Sequence, residues 1–361
     1  IGSYRFPLFF PKAQVVAWIA LVLVPPLVAR LPGKITRGRY VMALTGQFLL
    51  MLLAMNLLGK RSIAMNKEAV MAYDCHVRMQ DWDGIIALAG KKLPDTPMAV
   101  SCLNLALGMK GQLADRMFHY RQRGKEGLFM SFVNDFTIPL VAAEPYYLGM
   151  VNTAQQLVFE AMEAIPDYQK SVRCFKRLAE TNLINGRYEV AGKYLRILQH
   201  TLFYKDWATE MLACLDDEAR IDAHPEYGRL RKLTPQTDLF FNPAEPEMTL
   251  SLLLQANPEN RMAYEYLMGI TLLKKDMGRF VHYYPLGEKL GYRSIPKSYQ
   301  EALLFGWSMQ KHTPGEEIPW KINRETGERL REYARIYTST RSEEALAPRF
   351  GDTYWFYVHF R

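Results

Sequence analysis

The sequence predicts an all-α protein in which an N-terminal transmembrane helical hairpin is followed by stacked helical hairpins that form an α-solenoid. Two observations support this prediction. The first is a pair of long, uncharged apolar runs within residues 1–62. The second is a succession of helix-period apolar patterns from about residue 66 onward, separated by short turns and with few strand signals.

Each apolar run has about the length of a membrane-spanning helix. Residues 13–29 form a run of seventeen uncharged residues, and residues 40–59 form a run of twenty. Because an α-helix rises about 1.5 Å per residue, about 20 residues cross the hydrocarbon core of a bilayer. Pro25 and Pro26 distort the last turns of the first run. A signal peptide is the alternative for that run, but the second run follows after a short basic loop, which favours two spans.

Basic residues are concentrated around these runs. Residues 1–59 contain six Lys or Arg and no acid, whereas the remaining residues contain 39 basic and 37 acidic side chains. This distribution is typical of a membrane segment and argues against nucleic-acid binding, for which the folded domain would carry a basic face. Four of the six lie in the loop 30–39. The positive-inside rule therefore predicts a cytoplasmic loop at a bacterial inner membrane and places the helical array in the periplasm.

The clearest repeat unit spans residues 175–198. Two helix-forming stretches flank a glycine, and large and small residues recur on them at helical spacing. Small residues let two helices approach closely, large residues fill the space between hairpins, and glycine adopts a turn that a Cβ would resist. The residues at these positions are Phe175, Leu178, Ala179, Gly186, Tyr188, Ala191 and Leu198.

In this register the unit resembles a tetratricopeptide repeat. The resemblance implies hairpins that stack on one another and a concave groove that binds extended peptides. Looser turns near residues 81, 111, 152 and 276 extend the pattern over residues 63–310, with an irregular, proline-rich connection at 216–247. A non-repeating helical bundle is the alternative.

The chain thus divides into a membrane segment (1–62), a tetratricopeptide-like array (63–310) and a C-terminal capping segment (311–361). In the last segment a charged helix from about Asn323 to Tyr337 precedes an aromatic tail. We expect this tail to dock on the last hydrophobic face of the array, with a contact at the bilayer interface as the alternative.

Two apolar spans, divergent helical repeats and the Thr-Tyr-Trp-Phe-Tyr sequence at 353–357 resemble an uncharacterised family of multi-spanning membrane proteins from the Bacteroidota. Its members carry a membrane part before a tetratricopeptide-like part. The resemblance implies architecture and location, and it implies no activity.

No catalytic, cofactor or metal motif stands out in the sequence. Phosphate-binding glycine loops, the GxSxG elbow and HExxH are absent, and the seven histidines are isolated. The four cysteines, Cys75, Cys102, Cys174 and Cys214, fall in apolar helical patterns and are expected to be small core residues. A Cys75–Cys102 disulfide stays open as an alternative if the domain is extracytoplasmic.

These features favour a membrane-anchored scaffold that binds a protein or peptide partner at the cell envelope. The candidate groove residues are Asn182, whose amide could bond a peptide backbone, and Lys176 and Arg173, which could meet an acidic group. Contacts with the lipid bilayer and with other membrane subunits belong to the same hypothesis. Its alternative is the C-terminal part of a membrane enzyme, such as a glycosyltransferase that uses polyprenyl-linked sugars. Its active site would lie upstream of Ile1, since we expect further sequence there.

Overall fold

The computed structural model of the chain describes most residues beyond the N-terminal region. The described residues are 36–62, 65–130, 143–163, 170–215, 217–237, 244–310 and 317–361, together with Ile19, Val22, Leu239, Phe241 and Asn242. Within them the regular structure consists of α-helices and short 3₁₀ helices, with a single isolated bridge between Arg123 and Lys125 and no β-strand. The predicted all-α class is therefore confirmed for the described part of the chain.

The chain forms two compact units that divide between Met71 and Ala72. The first unit contains helix α1 (Arg37–Ser62) and the beginning of α2 (Met65–Arg78). The predicted second span, residues 40–59, lies wholly inside α1, whereas the predicted first span lies almost entirely outside the described residues. None of the described helices is both long and apolar enough to cross a membrane.

The second unit consists of consecutive helices joined by short turns. Its first half contains α3 (Trp82–Lys91), α4 (Pro97–Met109), α5 (Leu113–Arg116), α6 (Ala143–Leu148), α7 (Val151–Glu163), α8 (Val172–Ile184), α9 (Tyr188–Leu198) and α10 (Lys205–Leu212). Its second half contains α11 (Glu218–Ala223), α12 (Pro225–Leu233), α13 (Pro246–Ala256), α14 (Arg261–Leu273), α15 (Met277–Tyr283), α16 (Lys297–Ser308), α17 (Arg324–Thr340), α18 (Glu343–Phe350) and α19 (Tyr354–Phe360).

Local sequence fixes where several of these helices begin and end. Short polar side chains accept hydrogen bonds from the first free backbone N–H groups, as Asp81 does at α3 and Asn260 does at α14. After the C-terminal end of α8, Gly186 has a φ of 70° and leads into α9. Because glycine lacks a Cβ, it adopts this left-handed conformation without steric cost. The predicted turn at Gly186 is present.

Most helices of the second unit pack against their neighbours in the sequence, and some also pack against helices far away in the chain. Successive contacts join α7, α8, α9 and α10 in one row, and α13, α14 and α15 in another. In addition, α14 packs against α4 and α5, and α16 packs against α5. The α4–α14 approach is close, since a Cβ built on Gly108 would lie 3.2 Å from Tyr266 Cε2. A strict solenoid has contacts between neighbouring repeats alone, so these long-range contacts depart from that pattern.

The aromatic C-terminal tail lies against this core. Trp355 and Tyr354 are fully buried. The Trp355 indole donates a hydrogen bond to the Glu301 carbonyl at 2.8 Å, and the Tyr357 hydroxyl donates to the Leu273 carbonyl at 2.8 Å. The tail therefore packs against α14 and α16.

All four cysteines are free thiols. Cys102, Cys174 and Cys214 are buried, in accordance with the expected core role. The prediction is wrong for Cys75, which is exposed because it lies on the outer face of α2.

Candidate functional site

Two of the predicted groove residues, Arg173 and Lys176, lie on one face of α8. They line a small cavity of about 50 Å³ together with Arg177, Glu180 and Glu226. Residues three or four positions apart in a helix are neighbours on its surface, which explains why α8 presents these charges together. The partners of each charge decide whether the face is free to bind a ligand.

Arg177 and Glu180 form the centre of this charged face. Arg177 Nη1 lies 3.0 Å from a carboxylate oxygen of Glu180, and the guanidinium carbon lies 3.6 Å from the centre of the Tyr146 ring. Burial by itself would lower the pKa of Arg177, but the charge of Glu180 raises this pKa above its ordinary value. Burial would likewise raise the pKa of Glu180, but Lys176 and Arg177 hold it below its ordinary value. Both groups are therefore charged at neutral pH.

The outer charges of α8 also have partners within the chain. Arg173 pairs with the buried Asp74 of α2 at 2.7 Å. Lys176 pairs with Glu180, and its ammonium nitrogen lies 4.8 Å from the centre of the Trp207 ring. These interactions connect α8 to α2 and α10, and they leave Arg173 and Lys176 little capacity for an external acidic group.

Glu226 completes the network from the first turn of α12. Its carboxylate accepts hydrogen bonds from the Tyr146 hydroxyl at 2.7 Å and from the Gln80 side chain. Small-molecule sites usually enclose about 300–1,000 Å³, so a cavity of about 50 Å³ accommodates water and little else. We therefore assign this charged face a structural role.

Asn182 lies away from the charged face. It follows Arg173 by nine residues, and at about 100° per residue this spacing places it about 180° around the helix. The side chain is 1% exposed, and its amide nitrogen donates to the Leu178 carbonyl at 2.7 Å. Asn182 Oδ1 is buried and has no hydrogen-bond partner among the described residues. In this structure the amide does not reach a surface that a peptide could contact.

A larger groove lies at the turn between α8 and α9. Two adjoining depressions of about 490 and 460 Å³ share Asn152 and Arg187 in their walls. Asn152, at the start of α7, accepts a hydrogen bond at 2.8 Å from the side chain of Asn185, the residue before Gly186. This bond connects one helical hairpin to the next, and it places amide groups at the groove wall.

Exposed side chains of two kinds flank these amides. Phe159 of α7 is 40% exposed and lines the groove. Arg187 is exposed at the start of α9, and its guanidinium forms no ion pair with any described residue. Arg231 lines the same depression, where it donates a hydrogen bond to the Leu183 carbonyl at 2.9 Å and pairs with Asp222 at 2.6 Å. The groove thus offers hydrogen-bonding, apolar and cationic groups on a fixed wall.

The sequence predicted this hairpin, but the residues predicted to bind a partner were Asn182, Lys176 and Arg173. The signal for Asn152, Asn185 and Arg187 was available, since all three stand beside predicted turns, where side chains remain accessible. Which turns lie together could not be read from the sequence. Within the described residues, no group of three His, Cys, Asp or Glu is placed to hold a metal ion.

The chain belongs to a family of unknown function (DUF6057), whose model matches residues 2–361. Comparisons with curated proteins and with solved structures gave no match.

Proposed function

We propose that this DUF6057 protein is a membrane-attached, tetratricopeptide-like helical array that binds a protein or peptide partner in the groove between α7 and the α8–α9 turn. The observation that carries the proposal is the groove itself, which is lined by the hydrogen-bonded Asn152 and Asn185, the exposed Phe159 and the exposed Arg187. We further propose that the array lies in the periplasm and that it acts without catalysis.

The chemistry of the wall indicates the kind of partner segment. Asn and Gln side chains both donate and accept hydrogen bonds, so they match the peptide groups of an extended chain. Phe159 provides an apolar contact, and Arg187 favours an acidic side chain or a carboxylate. We therefore propose an extended segment that carries an apolar and an acidic residue.

Membrane attachment rests on the N-terminal unit. The helix α1 leaves large apolar side chains exposed, among them Met42 at 70%, Leu53 at 60% and Phe48 at 56%. Such a contiguous apolar surface is costly in water and is typical of a membrane or protein contact. The predicted first span and the basic loop after it support the same attachment.

Site-specific crosslinking tests the partner site. A photoreactive amino acid is placed in the full chain at Gln156, an exposed groove position, and as a control at Glu344, an exposed position on α18. After illumination of the native cells, we expect a discrete product from position 156 alone. Products of equal yield from both positions, or none from position 156, would contradict the proposal.

Variants of a charged and of an apolar groove residue then test whether the crosslinked partner binds in the groove. The captured partner segment is synthesised as a peptide, and its Kd for the purified full chain is measured. Arg187→Glu and Phe159→Ser should each weaken binding by about tenfold or more, because each removes one of the main contacts. Arg335→Glu, an exposed arginine on α17, is the matched control and should leave the Kd unchanged.

A further inference from the structure

A polar cavity of about 220 Å³ lies beside the aromatic tail, and its wall is formed mainly by residues of α5, α16, α17 and α19. The wall is rich in charged side chains, which are Asp115, Lys297, Glu301, Glu325 and Arg329. Because a cavity of about 10–15 Å³ already holds one water molecule, this one has room for an organic molecule of several non-hydrogen atoms. None of its residues lines the α7–α8 groove, so its ligand is independent of the proposed partner site.

The two cations of the wall are already paired with one carboxylate, that of Asp352. Lys297 Nζ lies 2.6 Å and Arg329 Nη2 lies 2.9 Å from its oxygens. Burial by itself would raise the pKa of Asp352, but the hydrogen bonds from both cations hold this pKa below its ordinary value. The N-terminus of α16 is also occupied, since the Lys297 backbone N–H donates to Asp115 Oδ1 at 2.8 Å. An anionic ligand would therefore compete with acids that the fold itself supplies.

Glu301 of α16 lacks such a pairing on the side of the cavity. The residue is 2% exposed, and its Oε2 accepts a hydrogen bond from the Tyr354 backbone N–H at 2.8 Å. Its Oε1 has no hydrogen-bond donor among the described residues, and the Lys297 ammonium nitrogen stays 3.8 Å away. Burial raises the pKa of Glu301 to about 7, because Lys297 compensates the buried charge only in part. Buried carboxylates are usually paired, so one donor is missing here.

Acids outnumber cations around the cavity. The ring of His119 lies 3.9 Å from Asp352, but burial and the charge of Lys297 hold the pKa of His119 below its ordinary value, so this ring is neutral at pH 7. Arg116 and Arg293, which precede or follow wall residues in the sequence, do not line the cavity. The charged groups that remain are two cations, Lys297 and Arg329, and four acids, Asp115, Glu301, Glu325 and Asp352. A positively charged ligand is therefore favoured.

We propose that this cavity binds a small primary amine in its ammonium form, which donates a hydrogen bond to Glu301 Oε1. The ammonium group supplies the cation that the fold does not bring to this carboxylate. Arg329 uses Nη2 for its bonds with Asp352 and with the Arg349 carbonyl, and its Nε and Nη1 have no acceptor among the described residues. They can donate to an oxygen of the same ligand, so the ligand class is a small amino alcohol.

Other occupants of the cavity fit these groups less well. Within the described residues no three His, Cys, Asp or Glu are placed to hold a metal ion. Water can donate to Glu301 Oε1, but it leaves the carboxylate charge without a counter-ion. The test therefore compares a cationic, a neutral and an anionic probe of nearly equal size.

Calorimetric titration of the full chain at pH 7 makes this comparison with ethanolamine, ethylene glycol and glycolate. We expect a Kd of about 1 mM or lower for ethanolamine, and binding at least about tenfold weaker for the other two, since a charged hydrogen bond is lost. Glu301 is about half protonated at pH 7 and must be ionised to receive an ammonium group. Titrations in buffers of different ionisation enthalpy should therefore show the release of about half a proton per ethanolamine bound.

Two variants connect this binding to the cavity. Glu301→Gln keeps an acceptor for the Tyr354 N–H but removes the charge, so ethanolamine should bind at least about tenfold more weakly and without proton release. Ser294→Trp, at an exposed position of the wall, narrows the cavity without a change at Glu301 and should weaken binding to a similar extent. Glu344→Gln, on α18, is the control and should leave both the Kd and the proton release unchanged. Circular dichroism of each variant confirms that it is folded.

Several results would overturn the inference. Ethylene glycol that binds as tightly as ethanolamine would show a hydrated cavity without selection for charge, and tighter binding of glycolate would show an anion site. Failure of ethanolamine to bind the wild type up to about 10 mM would show that water alone fills the cavity. Unchanged binding in folded Glu301→Gln and Ser294→Trp would place the amine elsewhere.

Discussion

Helix α8 and the α9–α10 turn, which lie one helix apart in the chain, invert the usual distribution of polar and apolar groups in opposite ways. The first holds the buried Glu180 against the partly buried Arg177, whereas the second exposes Leu202 and Phe203. A buried charge is stabilised by partners within the fold, and α8 supplies them. Leu202 and Phe203, in contrast, are 88% and 85% exposed, so the described residues cover them very little. The contrast teaches that the charges of α8 are stabilised within the fold, whereas the apolar turn contributes little to its stability.

The largest expected effect comes from removing the buried carboxylate of Glu180. Glu180→Ala leaves the partly exposed Lys176 and Arg177 without their carboxylate, and because water reaches both cations the cost should lie at the lower end of the range for a buried ion pair, about 3 kcal/mol. We expect a loss of this size in the free energy of unfolding of the full chain, measured by urea titration with circular dichroism.

A double variant separates the lost charge from lost packing. Arg177→Met/Glu180→Leu removes both charges and keeps similar volume, so most of the stability should return. If the single variant were as stable as the wild type, the structural assignment of the α8 charges would be wrong.

A second buried carboxyl, Glu144 of α6, sharpens the comparison because its hydrogen-bond partner is the neutral Ser101 rather than a cation. Burial raises the pKa of Glu144 to about 7, above the ordinary value of 4.5. The folded state therefore binds the proton more tightly than the unfolded state. This tighter proton binding stabilises the folded state fully below pH 4.5. As the pH rises to about 7, the free energy of unfolding that it contributes falls by about 3 kcal/mol.

We therefore expect unfolding free energies measured from pH 5 to pH 7 to fall as the pH rises, and Glu144→Gln to flatten this fall. Glu301, whose pKa is raised to about 7 by burial, contributes a fall in the same direction. Glu344→Gln, at an exposed position, is the control and should leave the slope unchanged. An unchanged slope in Glu144→Gln would show that this carboxyl is ionised in the folded protein at pH 5.

A smaller effect is expected at Gly186, in the turn that leads from the charged helix to α9. A Cβ at this position would meet no atom within 4 Å, so Gly186→Ala acts through the backbone alone. Its positive φ should cost about 1–2 kcal/mol in the unfolding free energy. Gly186→Asn should cost less, since asparagine tolerates this conformation better. Equal stability of Ala and wild type would contradict the turn geometry.

The smallest effect on stability is expected at the α9–α10 turn. Because Leu202 and Phe203 make few contacts within the fold, Leu202→Ser/Phe203→Ser should change the unfolding free energy by no more than about 0.5 kcal/mol. Calorimetry or urea titration of the double variant beside the wild type measures this change. A loss of more than about 1 kcal/mol would mean that these side chains are buried in the folded protein.

Sequence reasoning was most successful where the information is local. The α8–α9 hairpin, its turn at Gly186 and the burial of Ala179 and Ala191 depend on helical spacing and on the absence of a Cβ, which the sequence shows directly. The all-helical class follows from the same periodicity.

The candidate site depended on information that is not local. Arg173 was expected to be available, but its partner Asp74 lies 99 residues earlier in the chain. The groove forms because Asn152 meets Asn185 across 33 residues. Leu202 and Phe203 are exposed, although hydrophobic side chains are usually buried. Their exposure depends on which other helices cover the turn, and that depends on tertiary packing.

The most direct test measures the Kd of the captured partner segment, together with the urea midpoint, in the full chain that carries Arg187→Glu. We predict that binding weakens by about tenfold or more while the midpoint stays that of the wild type, because the exposed Arg187 contacts a partner outside the fold. Binding that persists in this variant, or a midpoint that falls together with the binding, would contradict the proposed groove.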